Sequence, residues 1–182
     1  MANKQALRDL QLRLASRLQA ARETPRAEGW LAVECGGSLL LLPLAQAGEI
    51  HTSAPVLPLP HARPWLSGVA NLRGDLCAVV DLARYLRLRG LEAAPASGPM
   101  VALNASLGLH AALRVDRLVG LRDATQMSPA PDDAPRPAFV GERWCDVHGQ
   151  HWQALDLARL VSDPLFLDVA ERPAAGWPAA RA

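Results

Sequence analysis

Two stretches of this chain, GDLCAVVDLAR at 74–84 and GQHWQALDLAR at 149–159, align without a gap. In each, a glycine opens a turn, an apolar strand follows, and the tetrapeptide Asp-Leu-Ala-Arg closes the unit. Asp81 and Asp156 then stand where a carboxylate caps a short helix by accepting its first free amides. A fainter echo lies upstream, where Pro43 to Ile50 repeats the pattern of Arg114 to Leu121. Self-similarity at this spacing is the mark of a duplicated supersecondary unit, so the chain reads as two similar half-domains in tandem.

The remaining signals are those of short strands. Trp30 to Glu34 and Ser38 to Leu42 flank Cys35-Gly36-Gly37, which predicts a hairpin. Further strands are predicted at 46–51, 67–73, 76–80, 99–104, 109–114, 117–122, 139–147 and 151–155. The proline-rich stretches 52–64 and 129–137 read as irregular connections, because proline cannot donate to a ladder. Residues 91–99 read as a loose linker of small residues between the halves. Many short strands in two similar sets fit small closed barrels, since closure removes unpaired edges. Ahead of them, Leu7, Leu10, Leu14 and Leu18 recur at helical spacing, with Arg8, Arg13, Arg17 and Arg22 between them. This predicts an amphipathic N-terminal helix over 1–29, ended by Thr24-Pro25 and Gly29, ahead of a folded domain over 30–170 and a flexible tail over 171–182.

Composition narrows the function classes. The 182 residues are half apolar and carry a formal net charge of +1, which makes no electrostatic case for nucleic acid or a membrane surface. The basic side chains are nearly all arginine, Lys4 being the one lysine, and arginine favours forked pairing with carboxylates. Cys35, Cys77 and Cys145 form no CxxC pair and are odd in number, which argues for a reducing, cytoplasmic setting rather than a disulfide framework. The longest apolar run, Leu39 to Leu42 with Leu44 beyond Pro43, is far below the roughly 20 residues of a membrane span, and the N-terminal leucines alternate with arginines as no secretory signal does.

Catalytic motifs are absent from the sequence: there is no GxGxxG, GxxxxGK[ST], GxSxG or HExxH. Cys145, His148 and His151 are the best metal candidates, but His51, His61 and His110 supply no fourth ligand at a matching spacing, so no metal and no cofactor is expected. Asp116 and Asp123 lie beside Arg114, Arg117 and Arg122, which predicts local ion pairs. The chain is not read as an enzyme.

One run carries a resemblance. Pro60, then Gly68-Val69-Ala70-Asn71-Leu72-Arg73-Gly74-Asp75-Leu76-Cys77-Ala78-Val79-Val80-Asp81-Leu82, resembles the signature of the CheW-like domains, the adaptors of chemosensory arrays. The likeness extends over about 30–162 and takes in Glu49, Val115 to Val119, and Asp156-Leu157. It departs at Ala78, where the family has proline, and at His148 to His151, where the second repeat lacks the Asn-Leu-Arg-Gly turn. The N-terminal extension and the leucine- and arginine-rich character look most like the PilI-type adaptors of type IV pilus (twitching) chemosensory systems. The resemblance implies a mainly β fold of two intertwined five-stranded SH3-like barrels, with short helices. It also implies a non-catalytic coupler between the cytoplasmic tip of a methyl-accepting chemoreceptor and a CheA-like histidine kinase. A small-molecule sensor, or a scaffold of another bacterial signalling assembly, is the alternative reading.

The same resemblance bears on the charge set between apolar runs at Arg73. Asn71 and Gly74 are turn formers that hold Arg73 out of the core. Glu49 is the acidic position that the family places beside it, so Glu49, Asn71, Leu72, Arg73 and Gly74 form the candidate partner surface. Two roles stay open for Arg73, a forked contact with a partner or an ordinary intramolecular pair with Glu49.

Overall fold

The structure, a computed structural model, describes residues 29–90, 97–130 and 135–171. The helix predicted within 1–29 therefore falls outside the described residues apart from Gly29, as does the tail predicted over 171–182 apart from Glu171. Eleven strands are present among the described residues: β1 (Gly29–Cys35), β2 (Ser38–Pro43), β3 (Ala47–His51), β4 (Leu66–Leu72), β5 (Asp75–Asp81), β6 (Met100–Leu103), β7 (Ala111–Arg114), β8 (Arg117–Asp123), β9 (Met127–Pro129), β10 (Val140–Asp146) and β11 (His151–Leu155). Three short helices accompany them, α1 (Leu82–Tyr85), α2 (Leu157–Val161) and α3 (Pro164–Leu167).

One sheet runs β3-β6-β7-β5-β4 and the other β8-β1-β2-β11-β10-β9. Read in parallel, β4-β5-β7-β6-β3 and β10-β11-β2-β1-β8 are the same arrangement, and in both the third strand pairs parallel with the second. The tandem repeat is thus real in the order of elements, β1–β5 with α1 and then β6–β11 with α2, but the lobes are not the repeats. Each repeat donates its first two strands to the lobe built on the other. The expectation of half-domains standing in tandem is corrected to an exchange, which is the intertwining that the resemblance implied.

Burial explains the exchange. An apolar strand with no polar alternation is one buried on both faces, and β1 (GWLAVEC) and β2 (SLLLLP) are such strands. Leu31, Val33, Cys35, Leu40 and Leu42 join a central core shared by both lobes. Trp30, Ala32 and Leu41 face the other way and pack on Met127 and Trp152 inside the first lobe, the one built on the β8-β1-β2-β11-β10-β9 sheet. The β6–β7 pair does the same, with Val101, Leu103, Ala111 and Leu113 in the central core and Met100 and Ala112 against Ala70, Leu72, Cys77 and Val79 in the second lobe.

The sheet of the first lobe has six strands rather than five, because β9 adds beyond β10. Sequence reading placed Pro129 in an irregular connection, yet it ends β9 opposite Trp144. An edge strand tolerates proline because one row of its amides needs no ladder partner.

The two Asp-Leu-Ala-Arg segments build one device twice. Asp81 is the N-cap of α1 and accepts from the Arg84 amide at 3.1 Å. Asp156 caps α2 and accepts from the amides of Ala158 at 3.0 Å and Arg159 at 3.1 Å. Arg84 reaches back to the Pro64 carbonyl and Arg159 to the Ala138 carbonyl, each at 3.3 Å. The backbone amides of Asp81 and Asp156 donate to Trp65 and Phe139, each at 2.8 Å.

Their surroundings differ. The Asp81 side chain is fully buried beside Arg84 Nε at 3.7 Å and Arg89 Nη1 at 3.5 Å. Arg89 also pairs with Asp116, whose other oxygen accepts from the Gly36 amide at 2.7 Å. Asp116 is therefore part of a seam joining both lobes, not of the local pairing predicted from its neighbours. Asp123 likewise caps a 3-10 turn through Thr125. Asp156 is part-exposed, pairs with Arg159 Nε at 3.3 Å and accepts from Gln46 Nε2 at 3.3 Å, while Gln46 Oε1 accepts from the Leu157 amide at 2.7 Å.

Removing one partner from a buried ionic cluster strands the remaining charges, whereas losing a part-exposed cap removes its hydrogen bonds and a solvated pair worth little. Asp81→Ala is expected to destabilise the protein by about 3 kcal/mol or more and Asp156→Ala by about 1 kcal/mol, read from urea denaturation midpoints. Equal losses would show that the seam contributes nothing beyond the cap.

Candidate functional site

The β4–β5 hairpin closes on the Leu72–Asp75 pair, which leaves Arg73 and Gly74 as its two turn residues. Both have positive φ, 53° and 107°, the signature of the turn that matches the twist of paired strands. Asn71 steadies it from outside, its Oδ1 accepting from the Gly74 amide at 2.7 Å. Gly74 supplies the φ at no steric cost. Arg73 does not, because an L residue in the left-handed region is strained by about 1 kcal/mol.

The hairpin tip meets the opposite edge of its own sheet. Arg73 Nη1 lies 3.0 Å from Glu49 Oε1 on β3, so the sheet curls until its two edges face each other. Both side chains are mostly exposed, 75% for Arg73 and 58% for Glu49. His51, two residues on, places Nε2 3.8 Å from the other Glu49 oxygen. Behind the pair lies a groove of about 420 Å³ lined in part by Leu72, Cys77, His110 and Ala111.

Of the five candidate residues, the structure brings Glu49, Asn71, Arg73 and Gly74 together at one exposed corner. Leu72 does not belong with them. Strand alternation turns it inward, where it is buried against the second lobe's core, and it supports the turn rather than forming a surface. Sequence reading missed two exposed apolar neighbours, Ile50 beside Glu49 and Leu76 across from Asn71. Nothing in the apolar runs that contain them marks Ile50 or Leu76 as outward-facing, since Val79 and Val80 in the same strand are buried.

The other reactive side chains are held in structural roles. Burial, and then the nearby Asp116 and Asp81 carboxylates, push the Cys35 thiol up to about 12. Burial also raises Cys77. Cys145 stands opposite His151 across the β10–β11 pair, and Asp146 is engaged by the amides of His148 and Gln150 and by Trp152 Nε1. Desolvation opposes ionisation of Asp146, yet these hydrogen bonds prevail and hold its carboxyl below the usual range. Among the described residues no three His, Cys, Asp or Glu side chains converge as metal ligands, and no helix is long and apolar enough to cross a membrane.

Comparison with known proteins follows the same outline. The CheW-like domain family is matched over residues 29–165. Protein PilI from Pseudomonas aeruginosa is 29% identical over 168 residues, covering 87% of this chain and 89% of that one. The crystal structure of the scaffolding protein TtCheW from Thermoanaerobacter tengcongensis matches with a TM-score of 0.59 at 19% identity, over 71% of this chain and 88% of that one, a likeness of fold.

The turn separates backbone from side-chain effects. Arg73→Gly relieves left-handed strain of about 1 kcal/mol and loses an exposed pair worth about 0 to 1 kcal/mol, so the melting temperature should stay within about 3 °C of wild type. Gly74→Val meets no steric neighbour but forces a branched residue to φ 107°, and should cost about 1 to 3 kcal/mol. Paired thermal melts check both, and a collapse of Arg73→Gly would make Arg73 a structural residue.

Proposed function

This chain belongs to the CheW-like domain family, and from that premise we propose that it is a non-catalytic adaptor coupling a methyl-accepting chemoreceptor to a CheA-like histidine kinase. The observation that carries the reading is the backbone of Arg73. Asparagine, aspartate or glycine suits that turn position better, and a strained residue on an exposed tip points to a role for its side chain beyond folding. The Glu49 carboxylate holds the guanidinium at the corner while leaving donors free for a partner carboxylate or carbonyl. Exposed Ile50 and Leu76 flank the ion pair, so a partner helix finds charge and apolar surface side by side.

The likeness to Protein PilI supports placing the adaptor in a type IV pilus chemosensory system. A cytoplasmic position fits, because both partners in this reading present cytoplasmic surfaces. The two lobes also suit a coupler mechanically. They share one core, so contacts on either lobe are held in fixed relation.

Titration calorimetry of wild type and Arg73→Glu against a receptor-tip fragment and the kinase regulatory domain tests the proposal. Reversing a forked contact at an interface centre costs on the order of 2 kcal/mol, a fall of roughly thirtyfold in affinity. The double variant Glu49→Arg/Arg73→Glu restores the internal pair with reversed polarity and should remain as weak. Unchanged affinity for both partners would remove Arg73 from the interface, and recovery in the double variant would make the internal pair its whole role.

A further inference from the structure

The exposed corner is built around a carboxylate with two basic neighbours, only one of which is permanently charged. Glu49 and His51 stand two residues apart on β3, an edge strand of its sheet, so strand alternation gives them one face. Glu49 Oε1 receives Arg73 Nη1 at 3.0 Å, while Oε2 faces His51 Nε2 at 3.8 Å. The second separation is beyond hydrogen-bond reach, so the imidazole stands beside the carboxylate without being committed to it. Packing keeps it there: the His51 side chain is 13% exposed against 58% for Glu49, and His51 lies opposite Met100 of β6.

Few other ionisable groups surround His51. The groove it lines also holds Arg73 from the hairpin tip, Asp75 and Cys77 from β5, and His110 just ahead of β7. Burial, and then Asp75, raise the Cys77 thiol, which therefore stays neutral. Strand β6 brings no charge, and Arg114 of β7 is turned to the Met100 sulfur at 3.8 Å. The charges that bear on His51 are thus Glu49 and Asp75 against Arg73.

At the corner itself, one guanidinium is matched by one carboxylate, and what a partner adds decides the balance. A backbone carbonyl presented to Arg73 brings no charge and leaves the match intact. A carboxylate puts two acids on one guanidinium and leaves a negative charge over. The group already in place to answer it is His51, since imidazole is the side chain that gains a proton in the physiological range.

We propose that this corner takes a carboxylate from its partner and that His51 makes the contact proton-linked: as the acid docks on Arg73, the imidazole accepts a proton from solvent and closes on Glu49 Oε2. Proton uptake on binding and tighter binding at lower pH are then two sides of one coupling. This rests on the adaptor reading, in which Arg73 lies in the interface.

Two measurements test it, one of them without a partner. In the free protein, Glu49→Gln should lower the titration midpoint of the His51 imidazole protons, followed by NMR, and Arg73→Gln should raise it. A midpoint that moves in neither variant would overturn the proposal. Calorimetry of the full chain against a receptor-tip fragment, in buffers of differing ionisation enthalpy, should show net proton uptake. Affinity should rise about fivefold as pH falls from about 8 to about 6, the attraction of unit charges about 4 Å apart in water. His51→Gln should lose both effects, and His110→Gln should keep them. Binding without uptake would give Arg73 a neutral acceptor, overturning the proposal while leaving the adaptor reading intact, and a pH dependence that survives His51→Gln would do the same. A fragment that binds at no pH would overturn the adaptor reading and this inference with it.

Discussion

Everything in this fold depends on two hairpins that are apolar on both faces. A strand like β2, with Leu40 and Leu42 on one side and Leu41 on the other, cannot lie at the surface of either lobe without exposing a row of leucines. Placed between lobes it buries both sides, and each fully buried aliphatic side chain contributes about 1.5 to 3 kcal/mol. The β6–β7 hairpin meets the same constraint with smaller residues. Exchange of hairpins between repeats follows from that demand, and it makes the lobes inseparable: neither has a complete core without strands from the other half of the chain.

At the points where the exchanged hairpins leave one lobe for the other, polar groups must be satisfied, and the two repeats do so by different chemistry. One junction is ionic, with Arg89 bridging Asp81 and Asp116 and Asp116 gripping the β1–β2 turn through the Gly36 amide. The hydrogen bond to Asp116 raises the Arg89 pKa against the opposing effect of burial. The other junction carries only the part-exposed pair of Asp156 with Arg159, and Gln46 presents both ends of its amide to α2 and its cap. A duplicated scaffold has thus kept its backbone hydrogen bonds while its side chains at the junction diverged.

The candidate partner corner sits away from these junctions, on a two-residue turn at the far end of the second lobe. Its placement separates tasks. The hairpin below is anchored by Leu72, Cys77 and Val79 in the lobe core, so the tip stands on a packed support, while Arg73 and Glu49 stand in solvent where their pairing adds little to stability. A charged contact on a rigid support loses little conformational entropy on meeting a partner.

Local patterns in the chain determined the elements and the caps. The Gly36-Gly37 turn, the strand runs and the repeated Asp-Leu-Ala-Arg all depend on contacts a few residues apart, and so does the Asn71-to-Gly74 turn. The family resemblance named Glu49 as the companion of Arg73, and the structure puts the two carboxylate and guanidinium groups in contact across 24 positions. Other features rest on long-range geometry and could not be read this way. The inward turn of Leu72, the partnership of Asp116 with Arg89 and Gly36, and the edge position that lets Pro129 end a strand all depend on which strand lies beside which. Tertiary structure alone decided that hairpins cross between lobes, because a run such as SLLLLP states that both faces must be buried but not what buries them.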